Sequence, residues 1–284
     1  MNRRNLIIGV IVLILIFLWI IRPKNNPNMT PDENVVAVHE TQQEEAAAPA
    51  KVEIQNLYNQ ATNLNRNNNL VESKEVYQKI LTDYSDYENI DRIQKEYEDI
   101  NMRLIFSNTP APQTVIHEVV SGDTLGKLAK KYGTTIELIK LKNNLKNDII
   151  RIGQRLTIWS QPFNIFVDKS QNILILKNGD EVLKVYDVST GSNNSTPVGE
   201  FIVKSRLIDP VWFHNGAIVP ADSPRNVLGT RWLGFDLPGY GIHGTVEPEN
   251  IGQQVTAGCV RMRNEEVEEL FNLIPQGTKV VIVD

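Results

Sequence analysis

The stretch FNIFVDKSQNILILKNGDEVLKVYDV, residues 163–188, decides how the largest part of this chain is read. Phe163, Ile165 and Val167 recur at every second position, the period of a strand that buries one face. Ile173–Leu176 is a short unbroken apolar run, and Asn178-Gly179 suits the positive-φ positions of a tight hairpin. Glu181–Val188 then pairs back. Working outward, Phe201–Val203 and Lys279–Val283 read as further strands. One convincing helix interrupts them. Asn264 is read as its cap, Glu265 and Glu266 favour its N-terminus, and Val267, Leu270, Phe271 and Ile274 line one face before Pro275 and Gly277 end it. These signals predict a mostly β domain over residues 161–284, a sandwich or barrel-like sheet with one helix alongside.

Upstream the pattern changes. Arg3 and Arg4 precede an apolar run from Leu6 to Ile21, followed by Arg22 and Lys24. At 1.5 Å per residue this run nearly spans a ~30 Å hydrocarbon core, and no small-residue cleavage site follows it. Residues 1–22 are therefore read as an uncleaved membrane anchor. Residues 23–50 hold Pro23, Pro27, Pro31 and Pro49 and too little apolar surface to fold alone, which predicts a disordered linker. Residues 51–106 are helical, with Ile54, Leu57, Tyr58, Ala61 and Leu64 at i, i+3, i+4, i+7 spacing. Residues 107–114, with Pro110 and Pro112, form a second linker. Over 115–160 the order is βααβ. Ile116–Val120 is a strand, and Ser121-Gly122-Asp123-Thr124 a turn and cap. A helix follows that ends at Gly133, then a second from Thr135 with Ile136, Ile139 and Leu141 inward, and a returning strand from Gln154 to Ile158.

Composition excludes some classes. A formal net charge of -5 over 284 residues, with no basic block, argues against a nucleic-acid partner. No zinc signature or phosphate-binding glycine loop is present, so no metal and no cofactor is expected. The single cysteine cannot form an intrachain disulfide; it is either kept for reactivity or buried as a small hydrophobe.

That cysteine, Cys259, lies in Thr256-Ala257-Gly258-Cys259-Val260-Arg261, and His243 in Tyr240-Gly241-Ile242-His243-Gly244-Thr245. A free thiol has a pKa of ~8.5, and an adjacent imidazole can take its proton to make a nucleophile, then return it to a leaving amine. Glycines on both sides suit close substrate approach, and backbone N–H groups near Gly258 are candidates for holding an oxyanion. Arg261 either contacts a substrate carboxylate or pairs with Glu247, Glu249 or another acid. Thr256, Tyr240 and Trp232 are further candidates for the substrate channel, with plain packing the competing reading for the aromatics.

Three resemblances add to this. Ala61–Tyr84 resembles a degenerate tetratricopeptide-like hairpin, with a plain helical spacer the equal alternative. Val119-Val120-Ser121-Gly122-Asp123-Thr124-Leu125, Asn143-Asn144 and Ile152-Gly153-Gln154-Arg155-Leu156 resemble a LysM domain. That resemblance implies binding of peptidoglycan or chitin-like glycans in a groove between Gly122, Asp123 and Thr124 and the loop near Ile149. The domain is expected to hold the rest of the chain on its polymer across a flexible tether.

Residues 163–284 resemble the L,D-transpeptidase catalytic domain of the YkuD type. The match runs through Val167-Asp168-Lys169-Ser170, Ser189-Thr190-Gly191, Thr196-Pro197-Val198-Gly199-Glu200-Phe201, Leu228-Gly229-Thr230-Arg231-Trp232-Leu233-Gly234-Phe235, His243-Gly244-Thr245 and Gly258-Cys259-Val260-Arg261-Met262. It departs at Ala257, where many members carry a larger residue. The resemblance implies Cys259 as nucleophile, His243 as proton donor and acceptor, the Gly244 carbonyl as ring orienter, and amides near Gly258 and Cys259 as the oxyanion hole. It implies a peptidoglycan L,D-transpeptidase forming 3–3 cross-links or attaching a protein amine. An L,D-carboxypeptidase or wall-peptide hydrolase with the same dyad, and a non-catalytic wall-binding scaffold, are the alternatives. The expected location is the plasma membrane, single-pass, with the catalytic domain on the outer side.

Overall fold

The computed structural model describes residues 51–284 except Asn215. The anchor expected at 1–22 and the linker at 23–50 lie outside the described residues. Among the described residues no helix is long and apolar enough to cross a membrane.

The described chain falls into two units, divided after Ile100. In the first, α1 (51–66) and α2 (Leu70–Asp83) precede α3 (Ile90–Phe106), whose residues from Asn101 onward belong to the second unit. Ile54, Ala61, Leu70, Tyr77, Ile80, Ile93 and Tyr97 are buried at the helical spacing read from the sequence. The small side chain of Ser73 comes close enough to donate to the Ala61 carbonyl at 2.8 Å.

The second unit opens with a βααβ module. β1 (Thr114–Glu118) pairs antiparallel with β2 (Arg155–Trp159), in register Thr114 to Trp159. Between them lie α4 (Leu125–Tyr132) and α5 (Ile136–Lys142). Thr124 and Thr135 cap them, accepting from Lys127 N and Leu138 N, and Gly133 ends α4 at φ 64°. Asn143 staples α5 to β2: its Nδ2 donates to Ile139 O and Thr157 O, and its Oδ1 accepts from Thr157 N. The inward face of α5 differs from the expectation. Leu141 is 44% exposed, while Leu138 and Lys142 are fully buried. The lysine is tolerated because its ammonium caps the end of α3, donating to Leu104 O at 2.9 Å and Ser107 O at 2.7 Å. Burial pushes that ammonium down to about 8.

The remaining strands are β3 (Phe163–Asp168), β4 (Ile173–Asn178), β5 (Glu181–Asp187), β6 (Thr190–Gly191), β7 (Gly199–Ile208), β8 (Trp212–His214), β9 (Ala217–Val219), β10 (Arg231–Phe235), β11 (Gly241–His243), β12 (Gln254–Thr256), β13 (Val260–Arg261) and β14 (Lys279–Val283). Eight of them form a single mixed sheet in the order β13-β11-β10-β7-β14-β3-β4-β5. Of the two arrangements expected, a sandwich or a barrel-like sheet, this is the single curled sheet, with one helix alongside. Val260 and Ile242 near one edge and Leu174 and Leu183 near the other share one core with Val267, Leu270 and Phe271 of α6 (Asn264–Leu273). The Asn178-Gly179 hairpin joins β4 to β5 in the predicted place, with Gly179 at φ 58°.

No flexible tether separates the βααβ module from this sheet. Three residues, 160–162, connect β2 to β3. Trp159 stacks on Phe163 with ring centroids 5.3 Å apart, and Leu138 lies in the catalytic-domain core. Thr135 Oγ1 donates to Asn272 O, and Arg206 pairs with Glu137 at 3.2 Å. Each of these contacts removes freedom that the sequence pattern alone had left to the linker.

Candidate active site

Sheet register brings the two expected catalytic residues together. β11 and β13 are parallel neighbours, with Ile242 level with Val260 and His243 level with Arg261. Cys259 immediately precedes Val260, so it stands level with Gly241. His243 is two positions beyond Gly241, and residues two apart on a strand share a face. The thiol and the imidazole therefore project diagonally from the same face of adjacent strands.

His243 is buried, at 3% exposure. Its Nδ1 lies 2.6 Å from Gly244 O, which assigns the proton to Nδ1 and leaves Nε2 as the basic nitrogen. Trp232 stacks over the ring at 6.0 Å between centroids and 22° between planes. Burial is the main influence on its titration and lowers it to about 4, with the Arg261 cation adding to the effect and the carbonyls of Gly244 and Leu228 opposing it. Cys259 is half-buried, and its Sγ lies 3.4 Å from Gly239 O. Burial pushes the thiol up, while the Gly241 N–H and Arg261 pull it back towards the thiolate. The resting pair is thus a neutral thiol beside a neutral imidazole.

The turn before the nucleophile is tightly shaped. Gly258 has φ 128°, and a Cβ there would come within 2.7 Å of Tyr240 Cε1. Tyr240 is therefore part of the wall that holds this turn. Thr256 Oγ1 donates to Cys259 O at 2.7 Å and accepts from Gly258 N at 3.1 Å. This corrects two expectations: Thr256 is committed to the turn, and the Gly258 N–H is committed to Thr256. Ala257, the family departure, is exposed and takes no part in that bracket. Arg261 is 8% exposed and pairs with Glu247 at 3.2 Å, while its Nε is buried without a hydrogen-bond partner. The ion-pair reading of Arg261 is the one the geometry carries.

In the βααβ module the groove residues divide. Asp123 Oδ2 lies 2.8 Å from His117 Nε2 and accepts from Val120 N at 2.9 Å, while His117 Nδ1 meets Tyr132 Oη at 3.0 Å. Asp123 thus closes its own loop, and Thr124 caps α4. Gly122, at φ 88°, supplies the turn. Ile149 and Ile152 are 72% and 75% exposed beside a concavity of about 880 Å³ also lined by Asn144, Lys146 and Asn147. The His117–Asp123 clasp was not read from the sequence, although their spacing across a strand end and turn was the available signal. Among the described residues no group of three potential metal ligands forms.

The fold and this geometry define a LysM module followed by a curled-sheet cysteine site, and comparison with known proteins gives the family. Residues 162–282 match the YkuD-type L,D-transpeptidase catalytic domain, and residues 117–159 match the LysM domain. The candidate L,D-transpeptidase YqjB of Bacillus subtilis is 42% identical over 126 residues, covering 42% of this chain and 70% of that protein. The candidate L,D-transpeptidase YkuD of Bacillus licheniformis is 31% identical over 176 residues, covering 59% of this chain and 98% of that one. Its Bacillus subtilis counterpart is 30% identical over 173 residues, covering 58% and 97%. The chain belongs to the L,D-transpeptidase family.

Proposed function

We propose that this chain is a peptidoglycan L,D-transpeptidase that works through a thioester on Cys259 and forms 3–3 cross-links, with its catalytic domain outside the plasma membrane and residues 1–22 as anchor. The observation that carries the mechanism is the Nδ1 bond of His243 to Gly244 O, which leaves Nε2 to serve the thiol on the neighbouring strand.

In the first half-reaction Cys259 Sγ attacks the carbonyl carbon of the diamino acid at position three of a tetrapeptide stem, and its proton passes to His243 Nε2. The C–N bond to D-alanine then breaks, the proton goes to the leaving amine, and a thioester remains. In the second, an amine of another stem attacks the thioester, gives its proton to His243, and the thiolate leaves and is reprotonated. The Gly244 and Leu228 carbonyls favour the imidazolium that exists between transfers. The LysM module holds the glycan near this cleft, and its clasped loop and exposed isoleucines offer a rigid platform for sugar faces.

The test mixes the protein with disaccharide-tetrapeptides and follows products by mass spectrometry. Dimers lacking one D-alanine, with a transient acyl adduct on Cys259, are expected. Released D-alanine with tripeptide alone replaces this reading with L,D-carboxypeptidase activity. Neither adduct nor product, from folded protein, eliminates the catalytic reading and leaves the scaffold.

A further inference from the structure

Asn264 is the residue whose reading changes most between sequence and structure. It was expected to cap α6. The N-cap is instead Arg263, whose side chain makes no capping bond, and Asn264 is the first helical residue. Its amide points back into the site. Oδ1 accepts from Thr245 N at 3.0 Å and from Thr230 N at 3.2 Å, and Nδ2 donates to Thr245 O at 2.8 Å.

The Thr245 N–H belongs to the same planar peptide group as the Gly244 carbonyl. One edge of that plane faces Asn264 and the opposite edge faces His243, where Gly244 O meets Nδ1 at 2.6 Å. Turning the plane to break one bond breaks the other. A hydrogen bond at the N–H also polarises the carbonyl across the amide, which strengthens its hold on the ring. The second bond, to Thr230 N, ties in the loop after Leu228, whose carbonyl is the other acceptor facing His243. The amide is so closely seated that a Cβ on either Gly229 or Gly244 would strike Asn264 Oδ1. Gly244 thus makes room for the asparagine, while Gly229, at φ 63°, also lies too close to the Gly244–Thr245 backbone for any side chain.

We propose that Asn264 is a positioning residue for His243, acting through the Gly244–Thr245 peptide group, so that the site is a Cys–His–peptide–Asn chain rather than a dyad closed by a free carbonyl. The proposal rests on the assignment of His243 as the partner of Cys259, and its test separates the two.

Cys259 is the only cysteine of the chain, so alkylation by iodoacetamide, read as intact mass against time and pH, reports its activation directly and needs no peptidoglycan. His243→Ala sets the floor. Asn264→Ala is expected to slow alkylation at neutral pH by about 10- to 100-fold, the range typical of losing a partner that orients a functional ligand. Its pH midpoint is expected to move upward, because a ring that is no longer held in place offsets less of the burial that already raises the thiol. In ¹⁵N-histidine NMR, the single Nδ1–H tautomer of His243 is expected to give way to a mixture. Asn264→Asp retains the acceptor for Thr245 N but loses the donor to Thr245 O, and is expected to fall between wild type and Asn264→Ala in rate while keeping the Nδ1–H tautomer. Should Asn264→Ala fail to fold, Asn264→Ser serves in its place: serine suits a helix start, but its hydroxyl is too short to reach Thr245 N and Thr230 N together. Slow alkylation in His243→Ala, but wild-type rate and tautomer in the Ala or Ser variant, overturns the positioning role alone. Unchanged alkylation in His243→Ala overturns the underlying dyad instead.

Discussion

His117 and His243 are each gripped by a neighbour, and the kind of neighbour separates a structural clip from a base. In the LysM module His117 meets a carboxylate, Asp123, at 2.8 Å, and a tyrosine hydroxyl at 3.0 Å. The Val120 N–H, and after it His117, hold the Asp123 carboxyl below the usual carboxylate range. These bonds close the loop between β1 and α4. In the candidate active site the polar neighbours that hold His243 are peptide carbonyls, and burial, first among several influences, lowers its titration to about 4. A carboxylate and a hydroxyl engage both ring nitrogens of His117, whereas the Gly244 carbonyl engages Nδ1 of His243 and leaves Nε2 as its basic nitrogen. The same residue type therefore closes a loop in one place and, in the proposed mechanism, carries the proton in the other.

The largest effect expected of this contrast is at the cleft. Cys259→Ser should lower D-alanine release from tetrapeptide by at least about 10⁴-fold while leaving the fold intact, because an alcohol is far harder to deprotonate. Near-normal turnover in that variant removes Cys259 as nucleophile. His243→Ala should cost about 10²- to 10⁴-fold in acylation, the usual worth of a positioned base. The corresponding change in the module, His117→Ala, should leave acylation unaltered and lower only the thermal stability; a comparable loss of rate would erase the distinction between the two histidines.

Acid separates them further. The unfolded chain protonates His243 near pH 6.5, whereas the folded ring resists to about 4. The unfolded state thus binds more protons between these values, so the stability this residue contributes is full above about 6.5 and falls by about 3 kcal/mol as pH drops to about 4. Denaturant titrations at pH 7 and 4.5 on wild type and His243→Ala measure it. An identical pH dependence in both proteins would show that the ring is not held neutral. Lys142→Met leaves the Leu104 and Ser107 carbonyls without their donor and should cost about 1–3 kcal/mol in the same titration. A variant as stable as wild type would mean that the cap contributes nothing net, as some buried charges do. The smallest change is expected at the groove: Ile149→Ser should weaken pull-down with insoluble peptidoglycan by about 1 kcal/mol, a few-fold, without touching turnover on soluble stems. No change would direct attention away from the exposed isoleucines.

Much of the architecture was legible because local periodicity and tertiary burial agree. The alternation at Phe163–Val167, the Asn178-Gly179 hairpin and the apolar face of α6 needed no partner to be recognised. His243 and Cys259 were legible through the motifs around them. What escaped depended on partners remote in sequence. The buried Lys142 was not foreseen, because its acceptors come from residues 104–107. Asn264 looked like a cap because that residue type serves equally at a helix start, and its actual partners lie at 230 and 245. Asp123 and Thr256 carry the polar atoms a ligand site calls for, yet those atoms are taken up by the turns that shape each site. The strands β3, β4, β5, β7 and β14 were read from the sequence, but β10, β11 and β13, which complete the sheet, were not, and whether strands form two layers or one curled sheet is decided by which edges meet.

The place of β14 in the sheet has a consequence for when the protein becomes competent during its synthesis. Residues 279–283 run between β7 and β3, antiparallel to one and parallel to the other. Until a ribosome has added them, β3-β4-β5 and β7-β10-β11-β13 are separate ribbons with bare edges, and the thiol sits on the second. Such long-range closure is slow and comes late. Cys259 is thus translated some twenty residues before the strand that unites the two ribbons, and a growing chain carries its cysteine before the sheet around it is complete.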